Sequence, residues 1–328
     1  MVSGRRAAHA LVRFAVLVWV ALTLNFALPR MAPGNVVDYL LPPEEGGSLP
    51  ADQRLDLLRQ FGLDRSWPVQ YWRYLTGALR GDLGVSARYG RPVTDLLLER
   101  VGWTLLLVGT AAVIATVLGT MLGFRSGWRR GSARDAGVMA GVLVADSAPP
   151  FFVGSLLMLV FAVKLRWFPT LSGLGRNDEH GLAAVVNVLR RVTLPLTTLV
   201  IANLGPLYLV ARSAIVSELQ EDYVFLAEAK GLSADQVRRH AQRNALLPVS
   251  TVAMVNLGTL VGGATVVETV FSFPGLGRLI YESVVARDYA TIQGAALLLV
   301  LGVVIANLVS DLIYPLLDPR VRAQRESR

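Results

Sequence analysis

Cysteine is absent from the 328-residue sequence, and lysine and histidine are scarce, with two and three copies. The lack of cysteine excludes disulfides, thiolate metal sites and cysteine nucleophiles. The histidines, His9, His180 and His240, are too dispersed to indicate a metal site. Neither Lys164 nor Lys230 lies in a G-x-x-x-x-G-K-[ST] sequence, so the chain has no P-loop. We therefore expect no enzymatic activity, no catalytic residue, and no metal or cofactor in this chain itself.

Charged residues are also few: they make up 17% of the sequence, against 53% hydrophobic residues. This balance is typical of integral membrane proteins rather than of soluble domains. The net charge of +8 could indicate nucleic-acid binding, but the basic residues lie at the ends of apolar runs instead of clustering on one domain. We therefore expect a protein embedded in lipid that binds no nucleic acid.

Long apolar runs recur along the whole chain. About 20 helical residues cross the ~30 Å hydrocarbon core of a bilayer, and six runs come close to that length. The predicted fold is an all-α integral membrane protein with six transmembrane helices, at residues 9–29, 101–124, 136–163, 192–211, 248–268 and 289–310.

The first apolar run follows an arm that contains Arg5, Arg6 and Arg13. A cleaved signal peptide is the competing interpretation, because a basic arm before an apolar run is typical of both. The run is long for a signal peptide, and no clear A-x-A cleavage motif follows it. We therefore expect a retained helix, with the long side chain of Arg13 reaching the membrane interface.

The segments between the runs indicate the orientation in the membrane. Six spans place both termini on one side, and the short loop 125–135 carries four arginines, which are enriched in cytoplasmic loops. We expect a multi-pass protein of the plasma or inner membrane, with cytoplasmic termini and a cytoplasmic 217–248 loop. Residues 30–100 then form an extracytoplasmic segment of about seventy residues.

One predicted span, residues 136–163, is interrupted by two prolines. Asp146 and Ser147 precede Pro149 and Pro150, and two prolines free backbone carbonyls and bend or break a helix. A charge near the bilayer centre costs roughly 2.5–3.5 kcal/mol, so Asp146 is expected to face protein or water. Either the break lines a translocation path, or the span begins near Ala148 and Asp146 is interfacial.

Other polar residues in the spans are few. Asn203 and Asn256 are further candidates for the translocation path, together with Asp146 and Ser147. Hydrogen bonding between helices is the alternative role for the asparagines. Glu268 and Asp311 lie near predicted helix ends, and we expect both at the membrane interface.

Residues 217–248 form a polar, charge-rich interruption between two apolar runs. The pattern predicts a helix from about Glu218 to Lys230 that ends at Gly231, the residue best suited to a left-handed position. A second helix is predicted to begin at Ser233 with a capping box to Gln236. Pro248 is expected to mark the turn into the next span.

The helical period gives these two helices distinct faces. Phe225 is predicted to lie among acidic residues, opposite a face formed by Leu219, Tyr223, Leu226 and Ala227. An aromatic side chain on an acidic face indicates a partner's pocket, although a solvated hairpin remains the alternative. In the second helix, Arg239 and Arg243 lie one turn apart and form a basic edge. Asp235 lies one turn before Arg239 and is predicted to pair with it.

The motifs A-x-A-K-G-L-S and R-H-x-x-R-N-A-L-L-P in this loop resemble the EAA loop of permease subunits in ABC importers of the dipeptide, oligopeptide and nickel family. In that family the loop contains a coupling helix that docks on a separate ATPase subunit. Phe225, Leu226 and Glu228 depart from the family pattern. The resemblance implies that the coupling residues are Tyr223, Phe225, Ala227, Glu228, Ala229, Lys230, Gly231, Leu232, Ser233, Arg239 and Arg243.

The resemblance extends over nearly the whole chain after about Leu11. The extracytoplasmic segment contains G-L-D, V-Q-Y-W-R-Y-L, G-D-L-G-x-S and G-R-P-V, and the C-terminal part contains V-E-T-V-F-S-F-P-G-L-G-R-L and L-L-D-P-R. Together they imply the fold of a type I ABC importer permease. Four aromatic residues of the segment could form an interfacial belt or a docking surface for a binding protein, namely Trp67, Tyr71, Trp72 and Tyr74.

The resemblance also implies partners. These are a homologous second permease subunit, two cytoplasmic ATPase subunits that bind ATP and Mg²⁺, and an extracytoplasmic binding protein. Di- or oligopeptides are the expected cargo, with nickel, glutathione and oligosaccharides as alternatives. A secondary transporter driven by an ion gradient is the other transport mechanism, but the sequence contains neither paired intramembrane acids nor internal repeats. A membrane scaffold or receptor that only recruits a soluble partner is the alternative outside transport.

Overall fold

The computed structural model describes residues 2–31, 55–56, 58–59, 62–172 and 181–317, without the side chains of residues 2–15, 17, 257–259, 261 and 306–317. Some predictions fall outside the described residues. They concern the structure of residues 32–54, the cytoplasmic tail from residue 318 onward, and the surroundings of the Asp311 side chain.

The described residues form ten α-helices and no β-strand. We number the helices α1 (Val2–Met31), α2 (Trp67–Arg80), α3 (Val93–Trp128), α4 (Ala133–Ser147), α5 (Pro150–Leu157), α6 (Leu182–Glu218), α7 (Asp222–Ala229), α8 (Ala234–Val270), α9 (Leu276–Val285) and α10 (Tyr289–Leu317). A π-helical segment, Met158–Lys164, continues α5.

Among the described residues, α3 and α6 are the helices long and apolar enough to cross a membrane by themselves. A third span results if α4 and the α5 helix with its π-helical continuation are counted together, although the two are bent by 101° at their junction. Shorter apolar stretches lie at 18–31 and 289–305. The membrane-compatible, all-helical fold is therefore confirmed, and the number of six spans stays a prediction.

The chain divides into two compact units. The first comprises residues 1–103 and 278–302, and the second comprises residues 104–277 and 303–328.

In the first unit, α2 packs against the C-terminal half of α1. The Tyr71 hydroxyl lies 2.7 Å from Thr23 Oγ1, and Asn25 Nδ2 donates to the Tyr74 hydroxyl over 3.0 Å. Both tyrosine rings contact the buried ring of Phe26. The predicted aromatic group is therefore divided, because two members pack inward while the other two are exposed, Trp67 and Trp72.

A short turn joins α2 to α3 in the same unit. Val85 and Pro92 form an isolated antiparallel bridge, and the Ser86 hydroxyl donates to the carboxylate of Asp288 just before α10. The second predicted span, residues 101–124, lies within a longer helix that starts at Val93. The helix begins earlier because the first turn is already packed: Val93 is fully buried.

In the second unit, small residues bring α3 and α6 close together. Gly119, Gly123 and Gly127 recur every four residues on the α3 face toward α6. A Cβ atom at Gly123 would lie 2.6 Å from the carbonyl oxygen of Tyr208. Only glycine therefore permits this approach of the two backbones.

The fourth predicted span, residues 192–211, lies within a longer helix, because α6 runs without a break from Leu182 to Glu218. One predicted boundary in the second unit is wrong. Pro248 does not mark a turn, because it lies inside α8. Packing on both sides of the proline accounts for this continuity, because Ala245 and Val249 are buried in one cluster.

Glu268, which is expected at the membrane interface, lies near the end of α8. Its side chain is fully buried within the protein and accepts a hydrogen bond of 2.8 Å from Thr104 Oγ1. The chain folds back over the carboxylate after α8, and a Cβ atom at Gly275 would lie 2.1 Å from Glu268 Cδ. This return of the chain cannot be deduced from the position of Glu268 near a helix end.

Candidate functional site

The candidate site is the surface formed by α7, the bend at Gly231 and the start of α8. The bend is a Schellman motif, in which Leu232 N donates to Ala227 O (3.2 Å) and Gly231 N donates to Glu228 O (2.9 Å). Gly231 has φ of 79°, which confirms the predicted left-handed position. The local sequence therefore determines this bend through one glycine.

The N-terminus of α8 also follows the local sequence. Its first residue is Ala234, and Gln236 Oε1 accepts a hydrogen bond of 2.8 Å from Ser233 N. This is the reciprocal half of the predicted capping box, and Ser233 has the extended backbone of an N-cap residue. The two helix ends leave only a short, geometrically fixed connection between α7 and α8.

The predicted helix from Glu218 to Lys230 is divided in the structure. The long helix α6 ends at Glu218, and α7 begins only at Asp222. Tyr223 donates from its hydroxyl to the Glu218 carboxylate across this turn. Burial, reinforced by this hydrogen bond, raises the pKa of Tyr223 to about 12, so the phenol remains a donor at neutral pH.

The outer face of α7 is apolar at its centre. Phe225 is 78% exposed, and Leu226 beside it is exposed as well. Leu226 was predicted to lie on the face opposite Phe225, and both side chains are exposed, since Val224 is the residue that α7 buries. In a helix of eight residues the buried arc is narrow, and it is centred between Tyr223 and Val224. The surface around Phe225 continues into exposed residues of the bend, Glu228, Ala229, Lys230 and Gly231.

The basic edge of α8 is exposed, as its sequence suggests. Arg239 and Arg243 lie one turn apart, and both side chains reach solvent. Arg239 Nε donates over 3.4 Å to the backbone oxygen of Asp235, not to its carboxylate. In the described part of the chain neither arginine forms an ion pair, so both remain available to a partner.

A buried cluster lies beneath this surface. Its buried members come from α3, α6 and the first half of α8: Phe124, Ala211, Ile215, Ala241, Ala245 and Val249. Ala211 of α6 and Ala241 and Ala245 of α8 let these two long helices approach closely. The start of α8 is therefore fixed to the membrane helices by tight packing.

An ion pair that sequence analysis missed lies at the same end of α6. Asp135 is 4% exposed and accepts from Arg212 at 2.8 Å (Nε) and 2.7 Å (Nη2). Ser126 donates to the same carboxylate, Gly131 N donates to it over 3.0 Å, and the Tyr208 hydroxyl lies 2.7 Å from Ser126 Oγ. No local signal identifies partners 77 positions apart.

The predicted path residues lie in the second unit at separate places. α4 ends at Ser147 and α5 begins at Pro150, so the break expected from the prolines is present. Asp146 lies against α6, where a Cβ atom at Gly205 would be 2.2 Å from its Oδ1. Ser147 is exposed, and its hydroxyl donates to Val144 O.

The two path asparagines belong to different helices. Asn203 Nδ2 donates to Leu199 O one turn earlier in α6, which occupies the amide within its own helix. Asn256 lies half-buried in α8. The sequence around the two asparagines favours neither a path role nor hydrogen bonding between helices, and both roles stay predictions. In the described part of the chain no three His, Asp or Glu side chains are grouped as metal ligands would be.

Comparison with known proteins identifies the family. The family described as binding-protein-dependent transport system inner membrane component matches residues 88–323. A Brucella ovis protein named as a peptide permease is 37% identical over 302 residues, covering 91% of this chain and 93% of its own. The oligopeptide transport system permease protein AppB of Bacillus subtilis is 31% identical over 300 residues, with coverage of 91% and 93%. The glutathione transport system permease protein GsiC of Escherichia coli is 35% identical over 307 residues, with coverage of 93% and 94%.

Solved structures agree on the fold. The MetNI methionine ABC transporter in an inward-facing conformation has a chain that aligns with a TM-score of 0.53 at 21% identity, covering 68% of this chain and 96% of that one. An amino acid ABC transporter crystallised with histidines gives a TM-score of 0.52 at 14% identity, with coverage of 67% and 94%. The chain therefore belongs to the family of binding-protein-dependent transport system inner membrane components, the permease subunits of ABC importers.

Proposed function

We propose that this permease subunit forms half of the translocation path for di- or oligopeptides delivered by an extracytoplasmic binding protein. A homologous second permease forms the other half, and two cytoplasmic ATPase subunits bind ATP and Mg²⁺. Peptides are the preferred cargo because two of the three relatives described above are named for peptides or oligopeptides and the third for glutathione, itself a tripeptide. The chain has no P-loop sequence, so the energy must come from the ATPase subunits.

The exposed apolar surface at Phe225 is the observation that carries this proposal. A phenyl ring that is 78% exposed on a short helix, beside a bend fixed by Gly231, suits insertion into a groove of a partner. The arginines of the α8 edge provide charges at the rim of the same surface. The ATPase subunit is the partner expected at this surface.

The helix α8 supplies the mechanical connection. It runs as one helix from Ala234, beside the proposed docking surface, to Val270. A movement imposed by ATPase closure at the bend would thus pass into the membrane part of the same helix. The subunit then alternates between an outward-open and an inward-open state. This change is driven because the ATPase subunits bind one of these two states more tightly than the other.

The docking proposal predicts that Phe225→Ala uncouples ATP hydrolysis from transport while the chain still folds. The reassembled importer is placed in proteoliposomes with its binding protein, and peptide uptake and ATP hydrolysis are measured together. We expect at least a tenfold loss of uptake per ATP hydrolysed. Ala229→Trp, which adds bulk at a neighbouring exposed position, should have the same effect.

Tyr281→Ala is the matched control, because it also removes an exposed aromatic ring but lies on α9. It should transport at the wild-type rate. Normal coupling in both Phe225→Ala and Ala229→Trp would contradict the assignment of this surface to the ATPase.

The proposed orientation has its own test. Reporter fusions at Arg130 and at Gly175 should lie on opposite sides of the membrane, with Arg130 cytoplasmic. A cytoplasmic reporter at both positions would refute the arrangement of six spans.

Glutathione is the second candidate cargo, favoured by the similarity to GsiC. Competition of glutathione and of tripeptides for the associated binding protein would separate the two, and nickel or an oligosaccharide would be recognised by the same assay. A transporter driven by an ion gradient predicts uptake without the ATPase subunits. Uptake that depends strictly on those subunits would exclude it.

A further inference from the structure

A cavity of about 640 Å³ lies within the first unit. Its walls come from the end of α1, the chain just before α2, one side of α2, the turn after α2 and the start of α10. Three arginines line it, Arg30, Arg59 and Arg73, together with two acidic residues, Asp82 and Asp288. The volume is in the usual range for small-molecule sites and is large enough for a short peptide.

The cationic side of this cavity is held in place by neighbouring groups. Arg30 donates from Nε to Gln70 Oε1 (3.0 Å) and from Nη1 to Phe26 O (3.1 Å). The Gln70 amide is itself fixed, since its Nε2 donates to Leu63 O and Arg65 O. The guanidinium of Arg30 is therefore oriented before any ligand arrives.

The donors of the cavity outnumber the acceptors available to them. Among the described residues, neither Arg30 nor Arg73 lies within 4.0 Å of a carboxylate. Gln293 is 6% exposed, and its buried Nε2 has no hydrogen-bond partner. The carboxylate of Asp288 is already engaged, because it accepts hydrogen bonds from the hydroxyls of Ser86 and Thr291 and from Thr291 N.

A buried donor without an acceptor is costly, by about 1–3 kcal/mol, so the Gln293 amide indicates a ligand that supplies an acceptor. The arginines of the same cavity indicate that this ligand is negatively charged. A carboxylate fits, because it accepts from an arginine at two oxygens and carries the opposite charge. Asp82 on the exposed turn provides an acidic group for a positively charged amino terminus.

We propose that this cavity binds the free carboxylate of a short peptide, with Arg30, Arg73 and Gln293 as its donors. The choice of a peptide rests on the proposed function, whereas the preference for a carboxylate rests on the cavity alone. The site belongs to the first unit and is separate from the candidate path residues of the second unit.

The test uses the full-length chain in lipid nanodiscs and two matched tripeptide mixtures, with free or amidated C-termini and no acidic side chains. Bound peptides are quantified by mass spectrometry after equilibrium dialysis. We expect the free peptides to be retained at least tenfold more than the amides. Retention should fall at least tenfold in Arg73→Gln and in Gln293→Leu.

Arg80→Gln is the matched control, because it removes the same charge from the same helix outside the cavity. It should bind like the wild type. Equal retention of free and amidated peptides by the wild-type chain would overturn the proposal, whatever the variants do. So would wild-type retention in a correctly folded Arg73→Gln.

Two further measurements distinguish a carboxylate site from a phosphate site, and a failure of this proposal from a failure of the proposed function. Inorganic phosphate that displaces the peptides more strongly than acetate at equal concentration would assign the cavity to phosphate and overturn the carboxylate site. Uptake driven by ATP is measured independently. Carboxylate-dependent binding without peptide uptake would refute the proposed function alone, and normal uptake without that binding preference would refute this site alone.

Discussion

At the scale of single residues, the most consequential contact is the pair of Asp135 and Arg212. Two parallel hydrogen bonds join the carboxylate to the guanidinium in a largely buried setting. Such a geometry compensates the charges only while both partners are present. The pair connects the N-terminus of α4 to α6, beside the cluster that supports the proposed docking surface.

Removal of one charge should therefore destabilise the protein strongly. Asp135→Asn leaves the arginine without a counter-charge, and we expect a loss of about 3 kcal/mol in the free energy of unfolding. Denaturant titration of the purified chain in detergent measures this. Asp64→Asn, at an exposed position, serves as the control and should change stability by less than about 0.5 kcal/mol.

The double variant Asp135→Ala with Arg212→Ala provides the critical comparison. Its loss in the free energy of unfolding should be smaller than the sum of the losses in Asp135→Ala and Arg212→Ala, because the second truncation removes a charge that the first left unpaired. Strict additivity of the two substitutions would show that the pair is not coupled.

Glu282 gives the first unit a dependence on pH. Its carboxylate accepts from the Tyr89 hydroxyl and from Arg278 Nε at 2.8 Å. Burial acts to raise the pKa of Glu282, but the Tyr89 hydrogen bond and the charge of Arg278 outweigh it, so the pKa is lowered. The ionised form therefore stabilises the folded state above the unfolded-state pKa of about 4.3.

We expect the thermal midpoint of the chain to fall as the pH is lowered from 6 through the region below about 4.3, because that stabilisation is lost on protonation. Glu282→Gln cannot ionise, and its midpoint should be lower at pH 6 but should decrease less on acidification. Identical pH profiles for the two proteins would exclude this role of Glu282.

At the scale of helices, the approach of α3 and α6 depends on glycines that have no space for a side chain. Gly123→Ala would place a methyl group 2.6 Å from Tyr208 O and should destabilise the protein by about 1–3 kcal/mol. Gly109→Ala lies on the same helix with nothing within 4 Å of its Cβ position and should be neutral or stabilising. Thermal unfolding in detergent compares them, and equal effects would contradict the packing described.

Local signals in the sequence predict local geometry well. The left-handed Gly231, the capping group at Ser233 and the break before Pro150 each depend on the conformational preference of one or two residues. The continuation of α8 through Pro248 could not be predicted in this way. There, packing of residues distant in sequence outweighs the local preference of proline to end a helix.

At the scale of the whole chain, the sequence predicts an all-helical membrane protein, and the family resemblance predicts its place in an importer. The composition and the loop motifs are sufficient for both. The cavity of the first unit and the Asp135–Arg212 pair could not be predicted, because they join residues from distant parts of the chain. The same holds for Glu268, which is covered by a chain segment that returns over it.

The unbroken length of α8 has a geometric consequence. Its 37 residues extend over about 55 Å at ~1.5 Å per residue. A rod of that length, tilted by about five degrees about one end, displaces its other end by about 5 Å. A small rotation at the proposed ATPase contact would therefore shift the opposite end of α8 by roughly the width of a peptide backbone.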